Sequence, residues 1–161
     1  MSFSTAELSD RFSGQDGFHI AEPILKHYGG VQRFSGVITT LKVFEDYSLV
    51  QSTLEQPVEN RVLVIDGGGS RRCALIGQQL TALALQNGWQ GIVVYGCIRN
   101  ADFIGQQPLG VMALNTHPLR SNKHAPGEAG ILITFAGVNF KNDHFLYADS
   151  DGIIVSSAKL D

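Results

Sequence analysis

The chain has 161 residues, 43% of them hydrophobic, which suits a single domain with a sizeable core. Its formal charge of −3, without a block of lysine or arginine, argues against nucleic acid or an anionic membrane surface as the main partner. The sequence also lacks a basic and apolar leader and any apolar run near the roughly 18 residues of a membrane span, so we expect a cytoplasmic protein.

The N-terminal third of the chain predicts two helices with a strand between them. Ser4 opens a capping box and predicts a helix through Phe12. Residues 19–30 are interrupted by a proline and end in two glycines, so they predict at most a short irregular piece. A run rich in β-branched residues from Phe34 predicts a strand, and Asp46 is expected to cap the helix that follows.

The middle of the chain predicts a strand, a helix and a second strand. Residues 61–66 and 91–96 are short apolar runs, typical of strands that are covered on both faces. Between them, apolar residues recur at helical spacing from Cys73 to Leu83, which predicts an amphipathic helix. A strand, a helix and a strand of these lengths make a βαβ unit with a right-handed crossover.

The second half of the chain is rich in predicted strands. Residues 111–115 are short and apolar, and residues 116–127 form a polar stretch with two prolines. Residues 131–140 and 143–157 are typical of strands joined by tight turns. Because no repeat or linker interrupts the chain, we predict the α/β class, as one domain over residues 1–161 with a central βαβ unit and a strand-rich C-terminal half.

The stretch DGGGSRR at residues 66–72 raises the question of an anion site. It lacks the lysine and spacing of a P-loop, and it also lacks the GxGxxG pattern of a dinucleotide fold. A helix is expected just beyond the glycines, and its free N–H groups favour an anion. Arg99, at the end of the next parallel strand, would add a planar guanidinium suited to a carboxylate at the same edge. The alternatives are a tight corner without a ligand and a surface salt bridge for Arg99.

Several stretches of the sequence resemble the RraA-like family, which includes the regulator of ribonuclease activity A and metal-dependent aldolases for 4-hydroxy-4-methyl-2-oxoglutarate. The similarity is carried by VIDGGGSRRCALIGQQL with QNGWQGIVVYGCIR after it, by EPILKHYGG, FSGVITTLKVFED and HPLRSNK, and by DHFLYADSDGIIVS near the end. It covers nearly the whole chain. The resemblance implies a β/β/α fold of the swivelling-domain type, a homotrimeric ring and ligand clefts between subunits.

The resemblance also implies site residues. In the aldolase branch, residues at a helix N-terminus and an arginine at a strand end hold the carboxylate and carbonyl of pyruvate. The helix residues correspond here to Gly77, Gln78, Gln79 and Leu80. The arginine, both catalytic and substrate-binding, is Arg99, and the next residue, which helps to bind a divalent cation through water, is Asn100.

The sequence departs from the aldolases at two positions. They generally carry an acid where this chain has Gln78 and an aspartate where it has Asn100. An amide can ligate Mg²⁺ or hold one of its waters, but it brings no charge. Without these two negative charges, a hard cation should bind more weakly. The loss is at least the ~1–3 kcal/mol that is typical of a lost hydrogen bond to a charged group. We therefore expect Mg²⁺ or Mn²⁺ to bind weakly or not at all.

Other residues are weaker candidates for a metal. Asp102 could supply a substitute carboxylate, although it is more typical of a loop or a helix start. Three more acids lie where turns commonly place aspartate, namely Asp66, Asp149 and Asp151. Cys73 and Cys97 form no CxxC pair, so we expect two buried thiols rather than a zinc site or a disulfide.

Two histidines and two arginines complete the candidates. His117 and His124 flank the polar stretch as candidate proton donors, but solvated loop histidines are the favoured interpretation. Arg71 and Arg72 follow the glycines directly. One of them could be a second anion contact, and salt bridges between subunits are an equal alternative.

Two functions stay open at this point. The first is a lyase in which Arg99 and helix N–H groups grip an α-keto acid while a divalent metal polarises its carbonyl. It would cleave 4-hydroxy-4-methyl-2-oxoglutarate or decarboxylate oxaloacetate through one pyruvate enolate, and the resemblance places it slightly ahead. The second is a non-enzymatic regulator that binds ribonuclease E and slows RNA decay without touching RNA, which the missing acids and the acidic balance favour. A third function, methyl transfer in menaquinone synthesis, is disfavoured because a Rossmann fingerprint is absent.

Overall fold

Twelve strands and four helices make up the described part of the chain, residues 2–161 of a computed structural model. The helices are α1 (Thr5–Phe12), α2 (Ser48–Leu54), α3 (Gln78–Gln86) and α4 (Ala101–Ile104). The strands are β1 (Phe18–Ile20), β2 (Lys26–His27), β3 (Phe34–Lys42), β4 (Arg61–Asp66), β5 (Ala74–Ile76), β6 (Trp89–Ile98), β7 (Gly110–Thr116), β8 (Glu128–Ala129), β9 (Ile133–Phe135), β10 (Val138–Phe140), β11 (Phe145–Asp149) and β12 (Gly152–Ser156). None of these helices is long and apolar enough to cross a membrane.

One mixed sheet of ten strands organises the molecule. Its order is β1-β12-β11-β3-β4-β6-β7-β2, with β5 paired to β6 and β8 paired to β3. The four central strands β3, β4, β6 and β7 are parallel, whereas the outer strands of this order pair antiparallel. The parallel strands bring their carboxyl ends to one edge, where ligands bind in open α/β sheets.

The sheet is buried on both faces because side chains along β4 alternate between two hydrophobic cores. Leu63 and Ile65 pack in the core shared with α2 and α3. Val62 and Val64 pack in the other core, with Phe140 from the antiparallel β9–β10 hairpin. The layers are therefore hairpin, sheet and helices, which confirms the predicted α/β class and its β/β/α arrangement.

Most predicted elements are confirmed. The first helix begins at the capping box, where Ser4 Oγ accepts a hydrogen bond from the Glu7 N–H at 3.4 Å. The predicted strand from Phe34 is β3, and the two strands of the βαβ unit are β4 and β6, which pair in parallel. Strands β7 to β12 make the second half strand-rich, and Cys73 and Cys97 are both free and buried.

Three boundaries differ from the sequence predictions. The helix predicted from Cys73 begins only at Gln78, because the three buried residues before Gly77 form β5 and pair in parallel with β6. Residues 19–30 contribute to β1 and include β2, since β12 and β7 supply antiparallel partners. The N-cap of α2 is Tyr47 rather than the predicted Asp46.

Candidate functional site

A cleft of about 610 Å³ lies where β5 and β6 end and α3 begins. Its wall also includes residues of α2 and of the polar loop between β7 and β8. The charged side chains on the wall are those of Arg99, Arg120, Lys123 and Glu55. All the residues that the resemblance assigns to the site lie on this one wall, namely Gly77, Gln78, Gln79, Leu80, Arg99 and Asn100. The structure thus brings them together, and their roles stay predictions.

The N-terminus of α3 provides hydrogen-bond donors to the cleft. Gly77 is the N-cap, and it has no side chain with which to bond the first turn. The Gln78 N–H donates to Asn100 Oδ1 at 2.9 Å. Within residues 2–161, the N–H groups of Gln79 and Leu80 have no hydrogen-bond acceptor. Free donors at the positive end of a helix dipole favour a carboxylate.

Arg99 lies against this helix N-terminus. Its backbone N–H donates to Ile76 O at 2.9 Å, which fixes the residue at the edge shared by β5 and β6. A Cβ atom placed on Gly77 would lie only 3.3 Å from Arg99 Cγ and Nε, so glycine is what admits the arginine. The guanidinium donates to Pro118 O at 3.4 Å and forms no salt bridge with any acid in residues 2–161. It is therefore available to a carboxylate beside the free amides of α3.

Asn100 joins the end of β6 to the start of α3. Its backbone is left-handed, with φ 59° and ψ 43°, a conformation that asparagine tolerates better than most residues. Its amide oxygen accepts the Gln78 N–H, which leaves one lone pair for another donor or a cation. The residue that the resemblance links to a metal thus also accepts a hydrogen bond from the first turn of α3.

The glycine bend after β4 is a closed corner rather than an anion cradle. The N–H groups of Gly67 and Gly69 both donate to Tyr95 O at 3.1 Å, and the Gly68 N–H donates to Asp66 Oδ1 at 2.9 Å. Gly68 and Gly69 have φ values of 69° and 70°, which favour glycine. Because these amides already have acceptors and no helix starts here, the structure favours the alternative of a tight corner without a ligand at the bend. The free amides belong to α3.

The arginines that follow the bend lie outside the cleft. Arg72 pairs with Glu45 through two hydrogen bonds, Nε to Oε2 at 2.7 Å and Nη2 to Oε1 at 2.8 Å. The Arg72 hydrogen bond, followed by that of Ser70, lowers the pKa of Glu45. Neither Arg71 nor Arg72 is on the cleft wall, so neither is the predicted second anion contact. Arg72 instead forms a salt bridge within its own chain.

The other candidate acids are dispersed. Asp102 is exposed in the first turn of α4, the helix-start position that the sequence favours. Asp149 is buried and accepts hydrogen bonds from the N–H and Oγ1 of Thr5 at 2.7 and 2.6 Å, while Asp66 and Asp151 lie at turns. Residues 2–161 contain no group of three histidine, cysteine or acidic side chains placed to hold a metal ion.

The candidate histidines are loop residues outside the cleft. His117 Nδ1 accepts a hydrogen bond from the Leu119 N–H at 3.1 Å. His124 is exposed and lies 4.0 Å from Asp46 Oδ2. Neither side chain is on the wall, which agrees with the interpretation of both as loop histidines.

The sequence reasoning did not assign to the site the one aromatic residue of the wall and three of its four charged residues, namely Tyr47, Glu55, Arg120 and Lys123. Arg120 and Lys123 lie in HPLRSNK, a stretch that carried the resemblance, and that signal could have found them. Tyr47 and Glu55 had no such signal, because they reach the cleft only through the packing of α2 beside α3.

The fold and the cleft together define a class: an α/β protein with a cationic, amide-lined cleft at the carboxyl edge of a mixed sheet. The family model for RraA-like proteins, described as Aldolase/RraA, matches residues 5–155. The chain therefore belongs to the RraA-like family.

Two curated proteins are similar to this chain over almost its full length. A protein of Methylococcus capsulatus named "Putative 4-hydroxy-4-methyl-2-oxoglutarate aldolase" is 57% identical over 160 residues, 99% of each chain. A protein of the same name from Laribacter hongkongensis is 56% identical over 97% of each chain.

Two solved structures are similar to this one. One is described as an S-adenosylmethionine: 2-dimethylmenaquinone methyltransferase of Geobacillus kaustophilus, with a TM-score of 0.94, 41% identity and coverage of 98% of this chain and 97% of the other. The second is the RNA-processing inhibitor RraA of Thermus thermophilis, with a TM-score of 0.92, 37% identity and coverage of 98% and 94%.

Proposed function

We propose that the protein is a carbon–carbon lyase that releases pyruvate from a 2-oxo acid, by cleaving 4-hydroxy-4-methyl-2-oxoglutarate, by decarboxylating oxaloacetate, or by both. One observation carries the proposal: the Arg99 guanidinium, free of any salt bridge in residues 2–161, lies against the N-terminus of α3, where Gln79 and Leu80 offer free N–H groups. The names of the curated relatives at 57% and 56% identity support the same reaction.

Both reactions break the bond between C3 and C4 of the substrate and leave the electron pair on a pyruvate enolate. The negative charge develops on the oxygen of C2, next to the C1 carboxylate. Arg99 and the N–H groups of α3 would hold this carboxylate and stabilise the developing charge, because fixed donors need no reorganisation during the reaction. A proton from water at C3 then completes pyruvate.

The two substrates make different demands on the cleft. Decarboxylation of oxaloacetate needs no base, since carbon dioxide leaves directly from the C4 carboxylate. Cleavage of 4-hydroxy-4-methyl-2-oxoglutarate also needs a base for the proton of the C4 hydroxyl group. Glu55 is the sole carboxylate on the described wall of the cleft. Oxaloacetate is therefore the simpler substrate with which to test the site.

The residues at the expected cation position are poor ligands for a divalent metal. The Asn100 oxygen is neutral and already accepts the Gln78 N–H, and Gln78 adds no charge. Mg²⁺ usually binds through one or two carboxylates and keeps several waters. We therefore propose that Mg²⁺ or Mn²⁺ is held weakly or not at all, and the roles of Arg99 and α3 are derived without it.

The test is pyruvate release from oxaloacetate, with and without added Mg²⁺ or Mn²⁺, in the wild type, Arg99→Ala and Asn100→Asp. Arg99→Ala is expected to lower kcat/KM by about 100-fold or more, because it removes a charged contact to the developing enolate. Asn100→Asp is expected to raise metal-dependent turnover, since an aspartate keeps the hydrogen bond to the Gln78 N–H and adds a charge.

A matched variant controls for general electrostatic effects. Asp102→Asn removes a charge two residues from Asn100, off the cleft wall, and should change turnover less than about twofold. Equal turnover in the wild type and Arg99→Ala would refute the role of Arg99, and no pyruvate release above the uncatalysed rate in any variant would refute the lyase.

We propose that the lyase works in the cytoplasm as a homotrimer, and that it binds no nucleic acid directly. The formal charge of −3 supports the last point. Five large apolar side chains exposed on the described surface support an assembly, namely those of Ile20, Ile24, Phe44, Leu119 and Leu132.

A specific observation favours a second function. The cleft lacks both acids that the aldolases carry, and the similar RNA-processing inhibitor RraA of Thermus thermophilis points to a regulator. In this alternative the protein binds ribonuclease E and slows RNA decay without catalysis. Retention on immobilised ribonuclease E, together with no turnover in any of the variants with or without added metal, would leave only the regulator.

A further inference from the structure

Two cations of the polar loop lie over one aromatic ring on the wall of the cleft. Arg120 Cζ is 5.1 Å and Lys123 Nζ is 5.3 Å from the centroid of the Tyr47 ring. Both distances are within the ~6 Å range of cation–π attraction. We call Tyr47, Arg120 and Lys123 the Tyr47 platform. All three line the same cleft as Arg99.

The backbone on either side of Arg120 is fixed to β5. The Ala74 N–H donates to Leu119 O at 2.7 Å, and the Ser121 N–H donates to Ala74 O at 2.9 Å. Arg120 is thus carried by a short parallel bridge to the strand that leads into Gly77 and α3. Its Cα position is set by the sheet, although its side chain is long and exposed.

The backbone on either side of Lys123 is fixed to the start of α2. The Tyr47 N–H donates to Asn122 O at 3.3 Å. The buried carboxylate of Asp46 accepts hydrogen bonds from the backbone N–H groups of the two residues after Lys123, the first of which is His124. These contacts hold the cation and the ring beneath it in one place.

The charges of the platform are not neutralised by acids in the described part of the chain. Arg120 and Lys123 form no salt bridge with any acid in residues 2–161. Together with Arg99 they make three cations on the wall, and Glu55 is the single acid there. Arg99 also donates to the backbone of Pro118, two residues before Arg120, so both cationic groups share the loop. The wall therefore has a net charge of +2, and a single bound carboxylate would leave one positive charge without a partner.

We propose that the Tyr47 platform is a second anion subsite, which binds the distal carboxylate of a dicarboxylic 2-oxo acid whose first carboxylate lies at Arg99. The inference rests on the proposed function and names the substrates that the same cleft selects. The face of the Tyr47 ring offsets the repulsion between two neighbouring cations. The planar fork of Arg120 suits a carboxylate, and Lys123 adds a compact charge.

The test compares two probes that are not β-keto acids and therefore are not decarboxylated by this chemistry. They are 2-oxoglutarate, with two carboxylates, and 2-oxobutanoate, with one, titrated by calorimetry. The wild type is expected to bind 2-oxoglutarate about tenfold more tightly than 2-oxobutanoate. The double variant Arg120→Gln/Lys123→Gln should lose about tenfold in affinity for 2-oxoglutarate and less than about twofold for 2-oxobutanoate.

A matched control is Arg11→Gln, because Arg11 Cζ lies 4.9 Å from the Phe12 ring on α1, away from the cleft. This variant should keep the wild-type preference. Arg120→Lys retains the charge and should keep most of the preference for 2-oxoglutarate over 2-oxobutanoate. This conservative variant keeps the proposal testable if the double variant misfolds.

The outcomes separate the two proposals. Arg99→Gln should weaken both probes, and the absence of any effect would overturn the proposed function itself. If Arg99→Gln weakens both probes while the double variant still prefers 2-oxoglutarate, the second subsite is wrong and the lyase stands. A double variant that weakens both probes equally also overturns the second subsite.

Discussion

Asp46 is the residue on which two parts of the cleft wall depend. Its side chain is 2% exposed. Oδ1 accepts from the N–H and Oγ of Ser48 at 2.8 and 2.6 Å, and Oδ2 accepts from the N–H groups of His124 and Ala125. Burial raises the pKa of Asp46, but these hydrogen bonds outweigh burial and hold the pKa well below its usual range. One side chain thus joins the start of α2 to the polar loop.

We expect Asp46→Asn to lower the free energy of unfolding at pH 7 by about 1–3 kcal/mol, because an amide offers one acceptor oxygen where the carboxylate offers two. The pKa of Asp46 in the folded state is below the ordinary 3.8, so its contribution is present above about pH 4 and is lost as the pH falls. Urea unfolding between about pH 7 and pH 3 should show a steeper loss in the wild type than in Asp46→Asn.

The control for this prediction is Asp143→Asn, which breaks the ion pair between Arg61 and an Asp143 side chain that is 64% exposed. A surface pair of this kind should contribute less than about 1 kcal/mol. Equal losses of stability in the two variants would show that burial of Asp46 adds nothing.

The contacts of Asp46 show which interactions of one residue a single sequence predicts and which it does not. A cap near α2 follows from local residue preferences, and Asp46 does bond the first residue of that helix. The bonds to His124 and Ala125 span 78 and 79 positions, and no local pattern signals them. The same holds for Tyr47, whose partners come from the distant polar loop.

The start of α3 shows why element boundaries are harder to predict than elements. All three residues of β5 are buried, so the apolar spacing from Cys73 fits a buried strand as well as a helix face. The strand forms because the ten-residue β6 offers Cys97 and Ile98 as parallel partners, which is a tertiary contact. The residues that the resemblance assigns to the site nevertheless lie together on one wall of the cleft, and their roles stay predictions.

Gly77 couples the geometry of α3 to that of Arg99. We expect Gly77→Ala to weaken binding of 2-oxobutanoate by about tenfold, because the new Cβ would lie 3.1 Å from Asn100 Oδ1 and 3.3 Å from Arg99 Nε and would displace the guanidinium. The backbone at Gly77 has φ −141°, which alanine adopts without strain. Calorimetry and urea unfolding should therefore show lower affinity with little change in stability, whereas unchanged affinity would mean that Arg99 does not hold the anion.

The layering of the whole molecule was more predictable than the order of its strands. Buried strands and an amphipathic helix indicate the α/β class, and the resemblance supplies the β/β/α arrangement. The strand order depends on pairing between the ends of the chain, since β1 lies against β12 with Phe18 opposite Ser156. Such a pairing of two distant segments leaves no trace in local periodicity.

The outer surface of the molecule has an exposed aromatic side chain beside a groove. Phe44 is 51% exposed and lines a second groove of about 600 Å³ together with Tyr95 and Pro126. Scattered apolar residues on a surface are normal, but an aromatic side chain on a groove wall is typical of a contact surface. We expect this face to lie at the subunit interface of the proposed homotrimer.

Sedimentation equilibrium should therefore give three times the chain mass for the wild type. Phe44→Glu should shift the protein to the monomer, because it replaces apolar contact area with a charge whose desolvation is costly. Ile20→Glu is the matched control, because Ile20 is 52% exposed, about as much as Phe44. Ile20 lies on the edge strand β1, whereas Phe44 follows the central strand β3, so the two side chains lie in different parts of the sheet. This variant should stay trimeric, and both should keep the far-ultraviolet circular dichroism of the wild type. A monomeric wild type would refute the trimer, and a trimeric Phe44→Glu would move the interface to another face.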